Sequence, residues 1–295
     1  MRNLFYALSC LAIVSMYSCS SNDDLDIATV NPTVEGLQLD VASASELASY
    51  VTNFKAGMGT RAVATGIPDL GVITSMPEAP SIPSNIKSFS EGVTTWGTVN
   101  EDCVLNSGED YTGGLGLNGH TIYIAGNATI NNAWGSGVVY VMPGGTLTIA
   151  HDGPMFNNGG ATIYNYGNVT TTKDYLYVGS NERFYSSVGL DLGTKSFKIQ
   201  GDAYIGGDLK ADAFTFERGN HLYVSGDLES ATDLKMDGNI QIKGGLTAPS
   251  IYMESACHLV VECAVNTPGE FRIDSNEARG YFDYLECGSM YQCAS

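Results

Sequence analysis

The chain has 295 residues, of which only 16% are charged, while glycines number 35 and tyrosines 17. A composition so poor in Lys, Arg and Glu and so rich in Gly, Tyr, Thr and Asn lacks the material of long surface helices, which excludes a helical bundle and points to many short strands with tight turns. With 14 basic against 32 acidic residues the formal charge is -18, so there is no basic footprint for a phosphate backbone, and nucleic-acid binding is excluded.

Residues 1–18 open on one positive charge, Arg2, and continue as an apolar run through Leu4-Phe5-Tyr6-Ala7-Leu8 to Leu11-Ala12-Ile13-Val14. That is the pattern of a secretory leader, too short and wrongly flanked for a transmembrane helix. The run closes on Ser18-Cys19-Ser20, a small residue before a cysteine, which resembles a bacterial lipoprotein processing site in a loose form. Cys19 is then expected to become the lipid-bearing N-terminus. The alternative is an ordinary leader with an incidental Cys19, but no convincing A-x-A-like site competes. Asp23-Asp24 just beyond resembles the surface-export signal of lipoproteins in the Bacteroidota. The expected home is the outward face of the outer membrane, with the lipid as anchor, because no other stretch is apolar enough to span a bilayer.

Residues 19–42 are polar and acidic and read as a tether. Residues 43–95 begin with the capping box Ser43-Ala44-Ser45-Glu46, followed by Leu47, Tyr50, Val51 and Phe54 at helical spacing. One short helix is expected, about Ser45 to Lys55, stopped by Gly57. Pro68, Pro77, Pro80 and Pro83 then make Gly66 to Lys87 an extended connector.

Residues 96–295 repeat one phrase. Thr121-Ile122-Tyr123-Ile124-Ala125-Gly126-Asn127 returns as Val138-Val139-Tyr140-Val141-Met142-Pro143-Gly144-Gly145, as Thr162-Ile163-Tyr164-Asn165-Tyr166-Gly167-Asn168, and on to Asn239-Ile240-Gln241-Ile242-Lys243-Gly244-Gly245. Each copy is a short alternating strand closed by Gly-Asn, Gly-Asp or Gly-Gly, with the glycines expected to supply a left-handed backbone at the corners. The turns recur at roughly 18 to 25 residues, the length of one coil of a solenoid. In Ile122-Tyr123-Ile124 the isoleucines share one face and the tyrosine takes the other. One coil cannot cover its own apolar face, whereas stacked coils share a continuous core. The expected fold is all-β, a parallel β-solenoid with a short N-terminal helix and an extended linker. An antiparallel sandwich or barrel is the competing architecture, but it calls for turns every 8 to 12 residues and two-residue Asn-Gly loops.

The phrases Tyr140-Val141-Met142-Pro143-Gly144-Gly145-Thr146-Leu147-Thr148-Ile149 and Leu222-Tyr223-Val224-Ser225-Gly226-Asp227-Leu228 resemble the repeat region of Bacteroidota surface lipoproteins that carry an LruC domain and, more distantly, bactofilin-type β-helices. The likeness covers roughly residues 113–265 and the leader. The acidic, aromatic C-terminal domain of that family does not occur in this sequence. The resemblance implies a surface protein of non-catalytic role and transfers no catalytic residue.

Chemistry is sparse. Asp202, Asp208, Asp227 and Asp237 each adjoin a glycine, where turn chemistry accounts for them. His120, His151, His221 and His258 lie far apart without metal-ligand spacing. No Gly-x-Ser-x-Gly elbow, phosphate loop or Cys-x-x-Cys pair occurs, so no cofactor, metal or catalytic residue is assigned. The central tyrosines of the repeats, Tyr123, Tyr140, Tyr164, Tyr177, Tyr204, Tyr223 and Tyr252, stand out instead. If their apolar neighbours face the core they face out, and stacked coils would align them. They are candidates for packing against an extracellular glycan or a surface protein; the plainer reading is cross-strand stabilisation alone. The expected function is a non-catalytic binding, adhesin or structural module. The alternative is a polysaccharide lyase or glycoside hydrolase with its site on a solenoid face.

After Cys19, five cysteines remain: Cys103, Cys257, Cys263, Cys287 and Cys293. A straight strand would hold Cys257 and Cys263 roughly 20 Å apart, so that bridge ranks last. Cys263 and Cys287 are one coil length apart and are expected either to bridge adjacent coils or to be free inward thiols; buried thiols throughout are the alternative. For the anchor, the Cys19→Ala chain is expected to leave the membrane fraction on cell fractionation. Undiminished retention would show that Cys19 carries no lipid.

Overall fold

The computed structural model describes residues 71–157, 159–217, 219–254, 257–274 and 279–292, with the backbone alone for residues 279 and 281–292. The chain divides into two compact units, residues 1–62 and 63–295, and the described residues all belong to the second. The leader, Cys19, the acidic tether and the expected helix at Ser45 to Lys55 lie outside the described residues.

The fold is a parallel β-solenoid of about ten turns. Each coil contributes up to three stretches of strand. The first stretch forms one continuous ladder of β1 (Lys87–Ser88), β2 (Cys103–Leu105), β3 (Thr121–Ile124), β4 (Gly137–Val141), β5 (Ala161–Asn165), β6 (Arg183–Ser186), β7 (Asp202–Ile205), β8 (His221–Val224) and β9 (Asn239–Ile242). It continues into β10 (His258–Ile273) and β11 (Arg279–Gln292), which run through all three stretches of the last coils. Every pairing along this ladder is parallel. Register partners such as Ile122 with Val139 and Val139 with Ile163 show that coil length varies, the longer coils placing extra residues in loops.

Alternation of side chains explains the core. In β3, Ile122 and Ile124 point inward and are buried while Thr121 and Tyr123 are half-buried on the outside. The inward set expected from the repeat, Ile122, Ile124, Val139, Val141, Leu222 and Val224, is 0% exposed throughout. Burying each such branched side chain contributes roughly 1.5–3 kcal/mol. The second stretch stacks Leu190, Leu209, Leu228, Leu246 and Val265 in one buried column. Like packs on like because each strand lies in register on the last.

The corner glycines act differently from expectation. Gly144 has a left-handed φ of 83°, but Gly126, Gly167, Gly201, Gly226 and Gly244 do not. Their requirement is closeness. A Cβ on Gly126 would stand 2.5 Å from the Asn106 carbonyl oxygen, and one on Gly201 would collide with the carbonyls of Gly179 and Glu182. Successive coils approach so tightly at these corners that no side chain fits between their backbones.

The turn acids join coil to coil. Asp208 Oδ1 accepts a hydrogen bond from Asp227 N at 2.9 Å, and Asp227 Oδ1 accepts from Gly245 N at 2.7 Å. Asp102 Oδ1 likewise accepts from Thr121 N at 2.8 Å. Asp237 Oδ1 accepts locally from Gly238 N. These carboxylates satisfy backbone donors that the corner geometry leaves without a ladder partner.

At the N-terminal end a one-turn helix, α1 (Phe89–Gly92), follows β1. Its N-terminal bond, Ser88 N donating to Glu91 Oε2 at 3.1 Å, is the capping box Ser88-Phe89-Ser90-Glu91, unremarked in the sequence because no apolar period follows it. The solenoid ladder thus begins at Lys87, within the segment expected to be connector. The Gly201→Ala chain should lose about 1–3 kcal/mol through overpacking at the corner, and Leu222→Asp several kcal/mol through an unpaired buried charge. Urea denaturation checks both, and an unchanged midpoint for Gly201→Ala would contradict the close approach.

Candidate functional site

From β2 onward one residue of each first-stretch strand points away from the core, and in-register stacking lines these residues up. The column runs Val104, Tyr123, Tyr140, Tyr164, Tyr185, Tyr204, Tyr223, Gln241 and Val260. Ring centroids are 5.2 Å apart for Tyr123 and Tyr140, 5.1 Å for Tyr140 and Tyr164, 5.1 Å for Tyr164 and Tyr185, and 5.3 Å for Tyr204 and Tyr223, with near-parallel planes. The spacing follows from the interstrand distance of about 4.8 Å, which holds equal side chains at stacking range without further adjustment.

Five of the seven candidate tyrosines therefore come together: Tyr123, Tyr140, Tyr164, Tyr204 and Tyr223. Tyr177 and Tyr252 do not join them. They occupy the third stretch of their coils, where Tyr177 is register partner to Lys198 and Tyr252 to Lys235 and Arg272. Tyr177 donates to Gln200 Oε1 at 2.5 Å. The phrase Tyr175-Leu176-Tyr177-Val178 has the same alternation as a first-stretch strand, and alternation alone does not say which side of the coil a strand occupies. Tyr185 was missed for the opposite reason. Phe184 and Tyr185 sit together without the branched-aromatic-branched alternation, and Ser186-Ser187-Val188 offers no Gly-Asp turn to mark the end. Its position between Tyr164 and Tyr204 at coil spacing was the available signal.

Stacking decides what the column presents. Tyr140 and Tyr164 have a ring against each face, so edges and hydroxyls, not flat faces, are left to meet a ligand. Tyr185 and Tyr223 are buried, at 6% and 7% exposure, whereas Tyr123, Tyr140, Tyr164 and Tyr204 are half-buried. Burial comes first in holding the hydroxyls of Tyr123, Tyr140, Tyr185 and Tyr223 above their ordinary pKa, so they remain protonated donors at neutral pH.

A polar column runs alongside, from the first residue of the same strands. Arg183 lies 3.8 Å from Asp202, which pairs with His221 Nδ1 at 2.9 Å, and His258 Nδ1 lies 3.0 Å from Asn239 Oδ1. His120 is 3.4 Å from Asp102. These histidines thus face a residue one coil earlier, while His151 is buried in a loop with Nδ1 against the Asp152 carbonyl. Among the described residues no group of three or more His, Cys, Asp or Glu is disposed to hold a metal ion.

On the other side of the column, Tyr166 donates its hydroxyl to the carbonyl oxygens of Pro77 at 2.9 Å and Glu78 at 3.1 Å. Burial, then the nearness of Tyr140 and Tyr164, raises its pKa. The proline-rich connector is thereby fastened beside the tyrosine column.

Cys103 and Cys257 are free and fully buried, and burial pushes the Cys103 thiol up to about 12. Both serve as small apolar core residues. Cys263 is disulfide-bonded. With Cys257 free, the Cys257 to Cys263 bridge does not form. The side chain of Cys287 lies outside the described residues; its backbone is in register with Thr267 rather than with Cys263.

One buried acid was not singled out in the sequence. Glu182 is 3% exposed in the turn before β6, where its carboxylate accepts from the backbone N–H groups of Gly179, Phe156 and Met155. It ties the 152–157 loop to the next coil. Burial outweighs those bonds and lifts its pKa from 4.5 to about 7.

No protein-family model, curated protein or solved structure matches this chain. No helix among the described residues is long and apolar enough to cross a membrane.

Because the folded carboxyl of Glu182 holds its proton more tightly than the unfolded one, its contribution to stability is full below pH 4.5 and is lost as pH rises through about 7. The loss amounts to about 3 kcal/mol at most. Urea midpoints measured from pH 4.5 to 8 should fall for the parent chain and stay flatter for Glu182→Gln. Parallel profiles would contradict the assignment.

Proposed function

We propose that this chain is a non-catalytic binding module of the cell surface, anchored in the outer membrane through lipid on Cys19 and presenting the tyrosine column as its recognition surface. The observation that carries this reading is the column itself. Register places tyrosines Tyr123, Tyr140, Tyr164, Tyr185, Tyr204 and Tyr223 on six consecutive strands, with rings stacked 5.1–5.3 Å apart from Tyr123 to Tyr185 and between Tyr204 and Tyr223. A linear array of donors and apolar edges suits a repeating, extended polymer better than a compact small molecule. The leader and the likeness to Bacteroidota surface lipoproteins support the location and an adhesin role.

An extracellular glycan or a surface protein is the ligand expected from sequence, and the column would engage a glycan through hydroxyls and ring edges rather than by stacking of sugar on ring. The turn acids that a hydrolase or lyase would need for chemistry are engaged in bonds between coils, as with Asp208 and Asp227, so the catalytic alternative gains no support from them.

The test is retention of the full chain on a panel of immobilised polysaccharides and extended polypeptides. The double variant Tyr140→Ala, Tyr164→Ala should lose at least tenfold in retention of whichever polymer the parent holds, with its melting temperature nearly unchanged. Equal retention by parent and variant would reduce the column to a stabilising ladder.

A further inference from the structure

Residues 72–83 run without a turn, a bend or a ladder bond, and the chain then turns through Ser84 and Asn85 into β1. Within this segment Val72, Met76, Pro80, Ile82 and Ile86 are half-buried, while the residues between them are exposed. The strap therefore lays one edge against the solenoid. Its Pro77 and Glu78 sit at the coil of β5, where Tyr166 holds their carbonyls, yet Lys87 is already in β1, four strands away on the same ladder. The strap must cross the levels of β4, β3 and β2 in between, the levels that carry Tyr140 and Tyr123.

Its prolines recur every third residue: Pro77, Pro80, Pro83. That is the period of a polyproline II helix, which has three residues per turn, no internal hydrogen bonds and carbonyls free to accept from outside. One such turn advances roughly 9.3 Å. Two levels of the solenoid advance roughly 9.6 Å. The two repeats are nearly commensurate, so a segment of that period laid along the tyrosine column returns to an equivalent level at each turn; in the resident strap Pro80 is the half-buried proline, while Pro77 and Pro83 are exposed. Aromatic rings lining a track, a hydroxyl donating to free carbonyls and prolines at every third position are the elements by which polyproline II segments are recognised.

We propose that the tyrosine face is a docking track for extended, proline-spaced polypeptide, and that residues 72–86 are its resident intramolecular occupant. This rests on the binding-module reading above and names its ligand class. An external segment of the same chemistry competes with the strap, so affinity for it is gated by how firmly the strap is held.

The probe is a fluorescently labelled synthetic peptide of residues 71–88, followed by anisotropy against the full chain. Against the variant Pro77→Gly, Pro80→Gly, Pro83→Gly, whose own strap is loosened, the peptide should bind at least tenfold tighter than against the parent. A peptide of identical composition with its three prolines made consecutive should bind at least tenfold more weakly. Adding Tyr140→Ala and Tyr164→Ala should abolish binding. A second readout needs no peptide: Tyr166→Phe should be cut within residues 72–86 by a nonspecific protease several-fold faster than the parent. Absence of peptide binding to the loosened chain, or equal binding of native and permuted peptides, overturns the proposal. If a glycan is instead retained through Tyr140 and Tyr164 while the peptide is not, the binding face stands and the polypeptide class falls. If no probe responds to those two substitutions, the binding-module reading falls with it.

Discussion

Everything in this molecule depends on parallel, in-register hydrogen bonding of each coil to the next. Register fixes that Ile122 lies on Val139 and Val139 on Ile163, and thereby turns a one-dimensional repeat into buried columns of like side chains. The same register operates on the outside, where it has no core to build. There it converts recurrent tyrosines into a stack and recurrent turn acids into staples between coils.

The corner glycines show how strictly that constraint is enforced. A coil spacing of about 4.8 Å leaves a corner little more than backbone thickness, and the carbonyls of the previous coil lie where a side chain would begin at Gly126 and Gly201. Conformational freedom is the reason glycine is needed at Gly144, whose φ is left-handed, but steric absence is the reason at most corners. Short carboxylates also reach between coils at the corners, as Asp208 to Asp227 N. Acids that contribute to the net charge of -18, such as Asp227 and Asp202, are engaged with backbone donors or with His and Arg partners.

Stacking also shapes the functional surface. A tyrosine on an isolated strand offers a flat face; a tyrosine in the middle of a column offers an edge and a hydroxyl. The architecture that aligns the rings also consumes their faces, which shifts the chemistry of recognition from ring stacking toward hydrogen bonding along a line. The connector enters at this point, because the hydroxyl of Tyr166, beside the column, donates to its Pro77 and Glu78 carbonyls.

The sequence by itself determined the all-β class, the coil repeat and the inward positions, because composition and two-residue alternation are local properties that survive without coordinates. It determined five of the six members of the tyrosine column for the same reason. What it left undecided was which side of the coil a given strand occupies. Tyr177 and Tyr252 carry the same local alternation as Tyr164, yet their strands lie on the third stretch, and Tyr185 belongs to the column although its neighbours break the pattern. Those assignments depend on how many residues each corner consumes. The closeness at Gly201, the burial of Glu182 and the strap across the coils of β2 to β5 likewise exist only between segments distant in sequence, so only the tertiary structure decided them.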